Sequence, residues 1–96
     1  MSAYVIATIV IHDREEYKNY ARGALAIFAT YGAEVLIAED APQVLEGEWD
    51  YTRTVVIRFE DEAAAKRWYE SPEYQAAAKF RFNSATTNLI FAKGLK

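Results

Sequence analysis

The sequence predicts an α+β fold of the ferredoxin-like βαββαβ type, a four-stranded antiparallel sheet with helices on one face. Two observations predict it. Four segments rich in β-branched and apolar residues have the length and alternation of strands. The segments between the first and second and between the third and fourth repeat apolar residues at spacings of three and four, behind capping residues. The order is therefore strand, helix, strand, strand, helix, strand. A chain of 96 residues fits a single domain over residues 1–96, with no internal repeat, low-complexity tract or linker.

Residues 4–11 (Tyr-Val-Ile-Ala-Thr-Ile-Val-Ile) read as a buried strand. Asp13 then suits an N-cap, and Glu16 completes a capping-box-like pair. In the helix that follows, Tyr17, Tyr20, Ala24, Ile27 and Tyr31 share one face, and Gly32 supplies the stop. Gly23 lies inside this helix, where it reads as a close-packing contact rather than a kink. Residues 33–39 form a second strand, and residues 40–51 a connection with turn residues Asp40, Pro42 and Gly47. Residues 52–60 alternate as a third strand. Asp61 caps a helix through Ala63, Ala64, Ala65 and Trp68. Ser71-Pro72-Glu73 restarts it with an N-cap serine, a proline at the first helical position and an acid in the first turn. Lys79 and Arg81 fall near its end, and residues 86–93 make the last strand.

Composition narrows the function classes. With no cysteine and one histidine, the chain has no thiolate metal site, cysteine nucleophile or two-imidazole zinc site, and no metal is expected. A formal net charge of −3 gives no reason to expect nucleic acid or an anionic membrane as partner. No apolar run is long enough to span a bilayer, and Met1-Ser2-Ala3-Tyr4 lacks the basic start of a signal peptide, so a cytoplasmic location is expected. Hydrophobic residues make up 52% of the chain, and strand parity says where the excess lies. Val5, Ala7, Ile9, Ile11, Val35, Ile37, Val55, Ile57, Phe59, Leu89 and Phe91 are assigned to the helix side. Tyr4, Ile6, Thr8, Val10, His12, Leu36, Ala38, Thr54, Val56, Arg58, Asn88 and Ile90 take the other face, which is too apolar for a solvated one. A second copy, sheet against sheet with two-fold symmetry, is the expected cover.

Further residues match a known family. Tyr4-Val5-Ile6-Ala7, Asp13 with Tyr17 and Tyr20, Tyr31-Gly32, Glu46-Gly47 with Trp49, Arg53-Thr54-Val55-Val56-Ile57 with Phe59, and above all the stretch from Trp68 to Gln75 carry the match. On these the chain resembles the domain of unknown function 1330 family, within the dimeric α/β-barrel superfamily. The resemblance covers nearly the whole chain and implies that two sheets pair into a dimeric α/β barrel. Arg81 falls where the family usually has arginine. Arg58 and Lys93 stand where it usually carries acids. The superfamily includes cofactor-free monooxygenases, isomerases and haem proteins, and choosing among these by fold alone is analogy.

Candidate site residues are few. The candidate catalytic residues are His12 and Arg81. The imidazole of His12 is matched to proton transfer near neutral pH, and Arg81 could receive a carboxylate or oxyanion. The alternative roles are a surface or interface histidine and a cation compensating the helix end. Tyr17, Tyr20, Trp68 and Tyr74 are expected between helices and sheet; Tyr17, Trp68, Tyr74 and Arg81 would line a pocket for a small organic ligand. The competing reading makes the same aromatics core. Arg53 is expected to pair with a nearby Glu, Arg58 and Asn88 to pair across a dimer interface, and Trp49 to act as a lid or as an anchor on the partner subunit. No phosphate loop or nucleophile elbow is present, and no cofactor is called for. Two function classes follow: a homodimeric small-molecule binder or cofactor-independent enzyme-like domain, and a non-catalytic dimerisation module.

Overall fold

Strand β1 (Ala3–Ile11) runs through the sheet between β3 (Arg53–Phe59) and β4 (Ala85–Lys93), and β2 (Glu34–Glu39) forms the edge beyond β3, giving the order β2-β3-β1-β4. This is the arrangement in a computed structural model that describes residues 1–96. All three strand pairings are antiparallel. Three helices, α1 (Arg14–Thr30), α2 (Glu62–Glu70) and α3 (Pro72–Ser84), occupy one face. The expected βαββαβ order stands, with the second helical unit in two pieces. Element ends shift by one residue from their sequence positions.

Alternation dictates the core. Ala3, Val5, Ala7 and Ile9 of β1 are buried beneath the helices with Ile57 and Phe59 of β3, while Tyr4, Ile6, Thr8 and Val10 are half-buried on the other face. The register aligns Val5 with Ile57 and Phe91, and Ile6 with Val56 and Ile90, so both sets continue across three strands. Strand β2 breaks the pattern. A bulge between Val35 and Ile37 leaves Val35 opposite Ile57, but sets Ile37 opposite Val56 and Ala38 opposite Val55. The extra residue inverts the parity beyond it. Ile37, expected beneath the helices, belongs to the open face, and Ala38, expected on the open face, turns toward the helices.

Caps follow local chemistry. Asp13 accepts from the Glu16 amide at 3.2 Å and Asp61 from the Ala64 amide at 2.8 Å. The reciprocal arm of the expected capping box is absent because the Asp13 amide donates to the Ser84 carbonyl at 3.1 Å, tying the start of α1 to the end of α3. Ser71 serves two helices: its hydroxyl donates to the Trp68 carbonyl at 2.8 Å and accepts from the Tyr74 amide at 3.1 Å. Gly32 ends α1 at φ +69°, where a side chain would be strained. Lys93 joins β4 to α2 through Glu62 at 3.6 Å.

Gly23 does face α3, but without a steric need for glycine. A Cβ there would lie 3.7 Å from Ala77 Cβ, an ordinary contact. Gly23→Ala is therefore expected to raise stability by about 0.5–1 kcal/mol, because alanine loses less chain entropy in a helix. Urea titration checks this, and a lower midpoint would show that α1 and α3 cannot take the methyl.

Candidate functional site

Helix α1 lies closer to α3 than to any strand. Large side chains bridge part of the gap to the sheet: Tyr17, Tyr20 and Phe28, all buried. Elsewhere the facing residues are small. Ala7 of β1, Ala21 and Ala24 of α1 and Ala38 of β2 line a cavity of about 160 Å³. Its walls are mainly hydrophobic, 16 of 19 residues, and take in Trp68, Tyr74 and Arg81 from α2 and α3. Leu25 and Val35 also line it and are 66% and 40% exposed, so it opens to solvent between α1 and β2.

The rings form a continuous group. Trp68, 1% exposed, stands 4.2 Å from the Tyr74 ring, 5.3 Å from Phe59 and 5.5 Å from Phe28, centroid to centroid. Tyr20 lies 5.4 Å from Tyr17 and edge-on to Tyr74 at 6.2 Å. The Tyr20 and Tyr74 hydroxyls share a hydrogen bond of 2.8 Å. Burial, and then the adjoining Tyr74, hold the Tyr20 phenol well above its ordinary pKa. Burial also raises the Tyr17 phenol, against the pull of Arg53 and Arg81. Both phenols are neutral at physiological pH.

The two arginines of the cavity differ. Arg53, at the mouth, donates from Nε and Nη2 to the Asp40 carboxylate at 2.7 and 3.1 Å, which holds that carboxyl below its usual range. Its partner is thus Asp40 rather than a glutamate, because the bulge and turn after β2 bring Asp40 alongside β3. Arg81 is 4% exposed and meets no carboxylate. Its Nη2 donates to the Tyr74 hydroxyl over a long 3.4 Å, and its Nε has no partner within the protein. The rings of Phe82 and Tyr20 lie 4.9 and 5.6 Å from its guanidinium carbon. Burial works against the cation, but Tyr74 and Tyr20 outweigh it and its pKa lies above the ordinary arginine value.

Three buried side-chain polar atoms lack partners: Trp68 Nε1, Arg81 Nε and Thr87 Oγ1. All three residues line this cavity. Native structures satisfy nearly all such groups, with protein partners or ordered water.

The structure thus brings together Tyr17, Tyr20, Trp68, Tyr74 and Arg81. It does not bring His12 to them. His12 is exposed and shares a hydrogen bond of 2.8 Å between its Nε2 and Thr86 Oγ1, at the edge of the open sheet face. Trp49 also lies away from the cavity, its Nε1 donating to Thr54 Oγ1 at 2.9 Å. Arg58 is exposed in no ion pair, and Asn88 Nδ2 donates to Thr8 Oγ1 at 3.4 Å within the chain. Sequence reasoning missed Thr87 and Leu25. For Thr87 a signal existed: parity puts it beneath the helices between Ala85 and Leu89, where a hydroxyl is out of place. No helix is long and apolar enough to cross a membrane, and no group of three His, Asp or Glu side chains could hold a metal ion.

A family model described as a domain of unknown function (DUF1330) matches residues 2–95. No curated protein matches the chain. Among solved structures, the RPA0582 protein of unknown function from Rhodopseudomonas palustris is similar at 20% identity and a TM-score of 0.83, over 99% of this chain and 83% of that one. A dimeric ferredoxin-like protein of unknown function from Jannaschia sp. CCS1 is similar at 13% identity and a TM-score of 0.74, over 98% and 100%. A variant of SnoaB, a cofactor-independent oxygenase from Streptomyces nogalater, is similar at 15% identity and a TM-score of 0.72, over 99% and 94%. At these identities the likeness concerns the fold.

Proposed function

The chain belongs to the DUF1330 family, and on that premise we propose that it is a homodimer in which each subunit binds a small organic molecule between α1, α3 and the sheet. One observation carries the reading: an apolar cavity of about 160 Å³ is lined by the buried Arg81, which meets no carboxylate, beside Tyr17, Trp68 and Tyr74. Such a cavity with a few orienting polar groups is the usual make-up of a small-molecule site. Tyr17, Trp68 and Tyr74 form its aromatic wall and Arg81 its charged group. One protein of similar fold is a cofactor-independent oxygenase, but one fold serves many reactions and none is assigned on that ground. His12, outside the pocket, takes no part in binding and belongs to the sheet face.

The homodimer rests on the open face, where Ile6, Val10, Val56, Ile37 and Ile90 remain partly or largely exposed, and on the dimeric state of a similar ferredoxin-like protein. Thr54, with Trp49 held to it, and His12 border that face.

Filling the cavity tests the binding site. Ala24 is 2% exposed and lines the cavity, so in Ala24→Leu the added carbons enter free space. The variant is expected to melt at or above the wild-type temperature and to lose the thermal stabilisation that single-ring organic compounds confer on the wild type. A ligand at about 100 times its Kd stabilises by about 2.7 kcal/mol, well within reach of a thermal-shift measurement. If no compound stabilises the wild type, or Ala24→Leu binds as the wild type does, the cavity is packing space of a dimerisation module.

A further inference from the structure

We infer that the cavity's ligand is a compact, largely apolar organic anion of about one ring, carrying a single carboxylate or similar oxyanion that Arg81 receives. The inference rests on the cavity's being a ligand site, and it names the class of ligand. It starts from charge. The ion pairs of the chain are Lys18–Glu15, Arg53–Asp40, Lys66–Glu62 and Lys93–Glu62, and none includes Arg81. The guanidinium cannot shed its proton. Tyr20 is held neutral beside it and is not its counter-ion. The full positive charge of Arg81 therefore lies buried with no carboxylate beside it, faced by the Tyr74 hydroxyl and the rings of Tyr20 and Phe82, and an incoming anion would supply the missing partner. The end of α3 does not account for it. Arg81 lies in the last turn, yet its side chain bonds to Tyr74 rather than to the final carbonyls.

Hydrogen-bond chemistry points the same way. Every nitrogen of the Arg81 guanidinium donates and none accepts, and its one hydrogen bond within the chain is the long one to Tyr74. A group that binds it must accept, and a carboxylate accepts at both oxygens. One uncompensated cation matches one negative charge, because Arg53 at the mouth is already neutralised by Asp40. The hydrophobic walls require the rest of the ligand to be apolar. About 160 Å³ sets its size, since an apolar cavity of about 150 Å³ holds benzene.

Benzoate and its neutral isostere benzamide separate charge from shape. Each is titrated into the wild type, Arg81→Met and Arg81→Lys by isothermal calorimetry. The wild type is expected to bind benzoate at least about tenfold more tightly than benzamide, the size of a hydrogen bond to a charged group. Arg81→Met should lose that preference, and Arg81→Lys should keep part of it. Equal binding of the two compounds to the wild type would overturn the anion while leaving the pocket standing. Binding of neither would overturn both. The comparison within the wild type decides the matter even if Arg81→Met fails to fold.

Discussion

Trp68→Ala is expected to cost about 3–5 kcal/mol of stability, the range for removing a large buried aromatic side chain. The indole is 1% exposed, and Tyr74, Phe59 and Phe28 pack on it with centroids within 5.5 Å. Its loss would join a new void to the cavity already beside it. A domain of this size has on the order of 5–15 kcal/mol in total, so the variant should unfold at much lower urea, at matched protein concentration. Trp68→Phe separates packing from polarity. It keeps most of the ring contact and removes an Nε1–H that has no partner within the protein, so it should cost much less. A Trp68→Ala cost under about 1 kcal/mol would mean that α2 and α3 collapse onto the sheet and that the cavity is not held open by a rigid wall.

Ile6→Asp is expected to convert the dimer to monomers. Ile6 stands on the open face, paired across the sheet with Val56 and Ile90. Two-fold pairing of that face would desolvate the new carboxylate in both subunits, an unpaired charge each time. Light scattering on the eluted peak should then give the mass of one 10.9 kDa chain instead of two. The β2 bulge adds a second arm. Ile37→Asp, on the open face, should weaken the dimer, whereas Ala38→Asp should spare it and disturb the cavity that Ala38 lines. A wild-type protein that elutes as a monomer at micromolar concentration would refute the pairing.

Much of this fold was legible in the sequence because the signals are local. Asp13, Asp61 and Ser71 cap the helices they precede, and the alternation in β1, β3 and β4 separates two apolar faces. Helical spacing gathers Tyr17, Tyr20 and Ala24 on one side of α1, and the group with Trp68, Tyr74 and Arg81 was foreseen as a group. The β2 assignment failed after Val35 because a bulge adds one residue without altering composition, and parity has no means of registering it. The capping box lost its second half for a similar reason: the Asp13 amide found the Ser84 carbonyl, far along the chain.

Sequence alone determined the ferredoxin-like order of elements, the gathering of Tyr17, Tyr20, Trp68 and Tyr74 and the unusual apolarity of the second sheet face, since periodicity and capping act over a few residues. The tertiary structure decided that Arg53 is neutralised by Asp40 while Arg81 is not, that His12 stands apart, and that alanines from α1, β1 and β2 meet across an unfilled space. A cavity is a mismatch of sizes between facing elements, and an unanswered charge is the lack of a partner within reach. Both depend on distances between residues remote in sequence, which no local pattern encodes.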